Sequence, residues 1–490
     1  MSAFKPTEEQ QAYLEAGGGE NNIALEALAG TGKTATACLF GEHYPNKRIR
    51  IAVFNNRNAK EMNERLPSNM DGSTFHSMCG KWFGSRRPRL MAGNACPGHK
   101  AKVPQLILKS FPEFDYTKIK RDDPENRIMY DNVSALNEIV SKMKSSFITI
   151  PSVEEVKALA EFHQIEYLMS PDDFATNALK VLAVSDSDRS TMDFDDMIRF
   201  HVLDKKVFSD SDIFIGDEFQ DSTPVRIEVV RLLAEKGTKV HIMGDQNQGI
   251  YVFTGASINS FTDSIDALNS TIMPLTVNFR CSKAVIMEAQ KLVPDIKNWD
   301  GAPEGLVKEL TEPGEFAELF QPGDCAIARF NKIIIPNVFK LLRQGKKATI
   351  QGADFGKQIV KIIKSVRAQD MEDFNTKLSK MEERDYSKCT TEFGQSIIED
   401  KYATIAYFAD NSNTVQEMIT LVESLFSDKS ISPYVFSTAH KSKGLEWPNV
   451  FILDHKNFRA PQAKLPWQFE CERRLEYVAK TRAKLNMYYC

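Results

Sequence analysis

Two short runs hold residue types that can do chemistry. The first, Asp212-Ile213-Phe214-Ile215-Gly216-Asp217-Glu218-Phe219-Gln220-Asp221, is apolar until it ends in two adjacent carboxylates. A buried strand ending this way delivers charge to the rim of a parallel sheet, where α/β proteins bind ligands. One carboxylate can hold Mg²⁺ while its neighbour polarises a water. Taken alone, the pair reads more readily as a strand leaving the core. The second run, Ala27-Leu28-Ala29-Gly30-Thr31-Gly32-Lys33-Thr34, lies upstream. Gly30 and Gly32 let the backbone turn tightly and point N–H groups inward. A following helix would add its N-terminal partial charge and Lys33 a full one. Thr34 offers a hydroxyl to a metal. Ala27 stands where the pattern G-x-x-x-x-G-K-[ST] has its first glycine, at a strand end where a small residue suffices. The pair and the loop together read as a phosphate site with its metal.

Such a site needs a strand before each run and a helix after the loop. Ile23–Ala27 reads as the strand and residues 34–40 as the helix. Further strands are expected near 49–54, 239–244, 325–328, 434–436 and 450–453, and helices near 125–145 and 153–168. The simplest organisation is two α/β cores, each interrupted by a helical insertion. Residues 1–78 and 191–272 form the first core around an insertion at 79–190. Residues 273–354 and 431–490 form the second, around an insertion at 355–430.

Composition is ordinary for a globular chain, at 42% hydrophobic and 26% charged. Lys and Arg total 62 against 66 Asp and Glu, so nucleic-acid binding must come from a local groove. The eight cysteines form no C-x-x-C pair. Cys96 and His99 with His76 and Cys79 can be stretched into a zinc site, but the irregular spacing favours unlinked thiols in a reducing compartment. No signal peptide or membrane-length apolar stretch is visible, which points to the cytosol.

The order of further motifs resembles the UvrD/Rep/PcrA family of superfamily 1 DNA helicases, from about residue 4 to 486. The carrying segments are Thr7-Glu8-Glu9-Gln10-Gln11, the loop at Ala27–Thr34, residues 51–62, Thr74-Phe75-His76-Ser77, Asp193-Phe194-Asp195-Asp196-Met197, Asp217–Asp221, Gly244–Ala256, Asn278-Phe279-Arg280-Cys281-Ser282, Thr438–Trp447 and Glu472–Ala483. The resemblance implies an α/β fold of two RecA-like parallel-sheet P-loop domains, with ATP between them and single-stranded DNA across their top. Catalysis is expected from Lys33, Asp217, Glu218, Gln248, Arg280 and Arg482. Ala29, Gly30, Thr31, Gly32, Lys33 and Thr34 would hold the phosphates, Gln10 and Phe279 the adenine, and Glu446 the sugar. Thr34 and Asp217 would hold Mg²⁺. Phe54, Asn56, Phe75, His76, Tyr251, Phe253, Thr438 and His440 would meet DNA, the aromatics by stacking. The Asp193–Met197 segment is expected to be structural.

Some positions depart from the family. Ala35 and Thr254 stand where arginine is usual, and Phe279 replaces a tyrosine. The second insertion is short, and no tail is expected after the last motif. The expected activity is ATP-driven 3′→5′ travel on single-stranded DNA with unwinding at duplex junctions, without a membrane role. The alternative is a DNA-stimulated ATPase that displaces proteins, or serves a larger DNA-processing assembly with protein partners, without unwinding alone. RNA as the track stays open.

Overall fold

A computed structural model describes residues 5–53, 56–91, 101–114, 124–163, 165–251, 257–312, 314–389, 392–426, 432–460 and 463–490. In chain order the strands are β1 (Ile23–Ala27), β2 (Ile49–Val53), β3 (Met70–Thr74), β4 (Arg89–Leu90), β5 (Thr191–Met192), β6 (Ile213–Gly216), β7 (Lys239–Gly244), β8 (Thr271–Leu275), β9 (Val277–Asn278), β10 (Lys297–Asn298), β11 (Leu306–Glu309), β12 (Cys325–Ala328), β13 (Ala348–Ile350), β14 (Tyr434–Thr438), β15 (Trp447–Ile452) and β16 (Ala483–Tyr489). Continuously apolar strands such as β6 and β12 suit a parallel sheet covered on both faces.

By contacts the chain divides into two units. The first comprises residues 1–27 and 32–275, the second 28–31 and 276–490. The first unit holds a six-stranded parallel sheet, β3-β2-β6-β7-β1-β8. The second holds another, β11-β16-β15-β12-β14-β13. These are the two RecA-like sheets expected. Strand β8 pairs with β1, so residues 273–275 complete the first sheet rather than open the second core expected to begin at residue 273. The last residues form β16, between β11 and β15. The helix read over 153–168 spans only Val153–Phe162.

The first insertion leaves and re-enters its core through the short parallel pair β4–β5. Its helices Lys102–Ser110, Pro124–Ser146, Val153–Phe162 and Pro171–Ser187 surround a core of their own, with Ile107, Leu136, Val140, Phe174 and Val181 buried. Buried charge ties it to the sheet domain. Asp193 caps the helix Phe194–Leu203 in a reciprocal capping box with Asp196 and accepts from Lys144 Nζ at 2.5 Å. Lys144 also meets Asp196 at 2.7 Å, and Lys102 Nζ donates to Asp196 at 2.8 Å. In return Arg199 reaches into the insertion, holding Asp186 through Nε (2.8 Å) and Nη2 (2.7 Å). Lys102, Lys144, Asp196 and Arg199 are all buried. The Asp193–Met197 segment thus joins the insertion to its core. In the second insertion, with helices Ala353–Val366, Met371–Lys388, Glu392–Asp410 and Val415–Leu425, the described residues Ile359, Phe374, Phe408 and Met418 share one core with Ala326, Phe436 and Phe451 of the second sheet. No helix among the described residues is long and apolar enough to cross a membrane.

Candidate nucleotide and nucleic-acid sites

Parallel topology puts the C-terminal ends of all first-sheet strands on one edge. The loop after β1 carries Lys33, β6 leads to Asp217, and β7, lying between β6 and β1, leads to Asp245. That arrangement brings the loop and the acidic pair together, as a ligand site at a sheet edge requires. Gly30 (φ +68°) and Gly32 (φ +82°) are left-handed, which explains the glycines. A Cβ at Gly30 would also come within 2.4 Å of Asn278 Nδ2. Gly32 is the N-cap of the helix Lys33–His43 and offers no side chain to its first turn, whose N–H groups lack intrahelical acceptors.

Glu218 is also left-handed (φ +51°), a backbone state that costs a non-glycine residue about 1–3 kcal/mol and occurs at functional sites. It sends the carboxylate to Lys33, with Oε1 3.6 Å from Nζ. Asp217 accepts from Glu218 N at 2.9 Å. Burial, then the neighbouring Glu218, push the Asp217 carboxyl up to about 6, against the pull of Lys33. A half-buried carboxyl raised in this way fits a site completed by a divalent cation, which favours the carboxylate. Gln248 donates to the buried Asp245 through Nε2 at 2.7 Å. Gln10 Oε1 accepts from Thr7 N (3.0 Å) and Nε2 donates to Thr36 Oγ1 (2.9 Å). These use one of the amide's two N–H groups and one of the oxygen's two lone pairs.

In the second unit, Asn278 donates to Ala29 O at 2.6 Å, Phe279 N to Gly30 O at 2.9 Å, and Ala29 N to the Tyr477 hydroxyl at 3.2 Å. Thr31 Oγ1 donates to Leu28 O at 2.8 Å. Phe279 is exposed beside Trp299, ring centroids 6.4 Å apart, an aromatic neighbour the sequence reading passed over. Arg280 Nε pairs with Glu446 at 2.7 Å, and Lys484 holds the other Glu446 oxygen at 2.6 Å. Arg482 is buried; its Nε donates to Val478 O (2.8 Å), Nη1 to Leu445 O (3.2 Å) and Nη2 to Thr481 Oγ1 (3.0 Å). Glu446 and Arg482 precede β15 and β16, whereas Thr438 ends β14. The expected nucleotide and DNA residues therefore occupy opposite edges of the second sheet. His440, beyond Thr438, is pushed well below its ordinary pKa by burial, then by Arg329, Lys441 and Lys443. It is a neutral imidazole at neutral pH.

Among the expected DNA residues of the first unit, Phe75 is 5% exposed and packs edge-on against Phe214 at 5.8 Å. It is a core ring rather than an exposed stacking face. His76 lines a cavity of about 160 Å³ with Ser141, Lys142, Asp195, Thr223 and Arg226. Burial, then Arg226, push its imidazole down to about 4. Tyr251 is half-buried, its phenol pushed up to about 12 by burial, then Asp221 and Glu218. Asn56 opens the helix Asn56–Asn63. Thr34 is half-buried on the first turn of its helix. Phe54, Phe253, Thr254, Cys96 and His99 lie outside the described residues. Among the described residues no group of three His, Cys, Asp or Glu could hold a metal ion.

Comparison with known proteins gives this geometry a family. The UvrD/REP helicase N-terminal domain matches residues 6–268, and the UvrD-like helicase C-terminal domain matches residues 364–490. F-box DNA helicase 1 of Gallus gallus is 25% identical over 99% of this chain and 49% of its own length. ATP-dependent DNA helicase PcrA of Bacillus subtilis is 24% identical over 65% of this chain and 44% of its own. ATP-dependent DNA helicase Rep of Buchnera aphidicola is 25% identical over 54% and 42%. The chain spans about half the length of the curated relatives it matches. With more than half of its residues matched by the first of these domains, the chain belongs to the UvrD/Rep helicase family.

Proposed function

We propose that this chain is a DNA-dependent ATPase that travels 3′→5′ on single-stranded DNA and unwinds duplex at junctions. The observation that carries the reading is the approach of Lys33 Nζ to Glu218 Oε1, 3.6 Å, at the edge of a parallel sheet where two left-handed glycines open a helix. Each group neutralises the other until phosphates take the lysine. Glu218 is then the base that accepts a proton from the attacking water. Ala29–Thr34 hold the phosphates and Gln248 senses the γ-phosphate. Thr34 and Asp217 would hold Mg²⁺, which when bound neutralises phosphate charge. Gln10 and Phe279 take the adenine and Glu446 the sugar. Arg280 and Arg482 stabilise γ-phosphoryl charge, and each must trade its present partners to do so, Glu446 for Arg280 and backbone carbonyls for Arg482. Tyr251, His76, Asn56, Thr438 and His440 are the proposed DNA contacts. The two insertions and the split cores remain part of this proposal, with the first core extended to Leu275.

The test is ATP hydrolysis by the purified chain with and without single-stranded DNA. Hydrolysis should rise strongly with DNA, and Lys33→Ala should abolish it. DNA-independent or absent hydrolysis overturns the proposal. A second reading, translocation or protein displacement without unwinding, is favoured by one feature: the second insertion shares its core with the sheet instead of standing apart. Strand displacement on 3′- and 5′-tailed duplexes decides between them. Unwinding of the 3′-tailed substrate by the isolated chain excludes the second reading.

A further inference from the structure

Gln220 has no part in the reactions proposed above, yet both ends of its amide are bonded within the acidic site. It is 3% exposed, in the short 3₁₀ turn Phe219–Asp221 that follows Glu218. Its Nε2 donates to Glu218 Oε2. Its Oε1 accepts from Asp245 N at 3.1 Å. The space is fitted to it, because a Cβ at Gly244 would come within 2.5 Å of Gln220 Oε1. Asp245 in turn accepts from Asn247 N at 2.9 Å and from Gln248 Nε2 at 2.7 Å. One hydrogen-bonded chain therefore runs Gln248, Asp245, Gln220, Glu218, and ends 3.6 Å from Lys33.

We infer that Gln220 is a positioning residue that couples the γ-phosphate sensor to the base, an inference that rests on the ATPase reading. An amide suits the position for a physical reason. It alone among side chains of this length donates at one end and accepts at the other, so it can hold a carboxylate and a backbone N–H at once. Gln220 holds Oε2 of Glu218, which places Oε1, the oxygen facing Lys33, to turn to a water. When Gln248 leaves Asp245 for a phosphate oxygen, the Asp245 turn is relieved of one bond. Gln220 bonds to both that turn and the base. Leucine has the right size and neither function. Glutamate keeps the acceptor for Asp245 N and loses the donor to Glu218.

The experiment is steady-state ATP hydrolysis with single-stranded DNA by the full chain and by Gln220→Leu, Gln248→Leu and the double variant. Gln220→Leu should lower kcat about 10–100-fold, as loss of a group that orients a catalytic residue does, and leave KM for ATP near the wild-type value. The double variant should fall no further than the worse single one, because both changes break the same chain. Gln220→Glu is the second variant if leucine unfolds the protein, and should show the same loss of kcat with the fold intact by circular dichroism. A folded Gln220 variant with unchanged kcat, a change confined to KM, or full additivity with Gln248→Leu overturns the inference and leaves the ATPase reading standing. An inactive wild-type chain overturns both.

Discussion

The two insertions are attached to their cores by different physics. The first closes its own apolar core, around Ile107, Leu136 and Phe174, and meets the sheet domain through buried charge: Lys102 and Lys144 against Asp193 and Asp196, and Arg199 against Asp186. The second is joined chiefly by apolar packing, with buried Asp400 accepting from Asn331 Nδ2 at 3.1 Å and Lys332 N at 2.6 Å, and its Phe374, Phe408 and Met418 complete the hydrophobic layer over β12, β14 and β15. Apolar burial is non-directional and adds to whatever it covers, so it fuses an insertion to its host. A buried ion pair is directional and all-or-none; it stabilises little against an apolar replacement but costs heavily when one partner is lost. The first insertion can therefore fold and shift as a body, with a defined seat. The second gains its stability only as part of the sheet domain, which removes the freedom a mobile subdomain would need.

The sharpest way to break that comparison is Lys144→Met. The side chain is buried, and although burial opposes its charge, Asp193 and Asp196 hold its pKa above the ordinary value. Removing it leaves two carboxylates with Lys102 as their remaining lysine partner, a loss of about 3–5 kcal/mol. The loss should fall on the junction. Hydrogen exchange should show the insertion's helices protected through Ile139 and Val181 while the helix Phe194–Leu203 and the segment around β5 open. Uniform loss of protection across the insertion's own core would mean that it does not fold independently.

Met418→Ala is the counterpart in the second insertion. Met418 is fully buried, and truncation to alanine should cost about 2–5 kcal/mol through lost burial and the cavity left behind. The distinguishing expectation is where the cost appears. Helices Met371–Lys388 and Glu392–Asp410 should lose exchange protection together with β12 and β14, in one transition. Melting of the helices ahead of the sheet would show that the shared core is not cooperative.

This difference was only partly legible in the sequence. Most interior strands announced themselves as short apolar runs, because a strand buried on both faces has no reason to alternate, whereas β16, interior but reading Ala-Lys-Leu-Asn-Met-Tyr-Tyr, did not. The edge strands did not. β3 reads Met-Asp-Gly-Ser-Thr, β11 reads Leu-Val-Lys-Glu, and both lie at the margins of their sheets. The residue types of the candidate nucleotide site and their order were readable, since each motif is local. What could not be read was anything decided by contact across the chain. Nothing local in Thr74-Phe75-His76 says that the ring turns into the core and the imidazole into a cavity. Nothing local says that Arg482 bonds carbonyls of Val478 and Leu445, or that Gln220 bridges to Asp245. The Asp193–Met197 motif was rightly read as structural, but its lysine partners, Lys102 and Lys144, lie 94 and 49 residues away.

The smallest expected effect tests the charged junction by pH. Asp195 is half-buried beside it and accepts from Ser141 at 2.5 Å. Burial, then Asp193, push its carboxyl up to about 6; Asp196 pushes the same way, while Ser141 and Lys144 pull it down. Lys142 and Arg226 share its cavity. The folded state thus binds this proton more tightly than the unfolded chain, whose carboxyl titrates near 3.9. Stability owed to the proton is complete below that value and is lost as pH rises through about 6. Asp195→Asn keeps an acceptor for Ser141 and has no proton to lose. Wild type and variant should be equally stable near pH 4. The variant should gain about 1–2 kcal/mol by pH 7, a range reduced for the partial exposure of the site, and the gain should then level off. Urea unfolding of the two proteins across that range checks it. A gain that appears already at pH 4, or one that keeps growing above pH 7, would mean that the junction responds to Asp193 or the lysines rather than to Asp195.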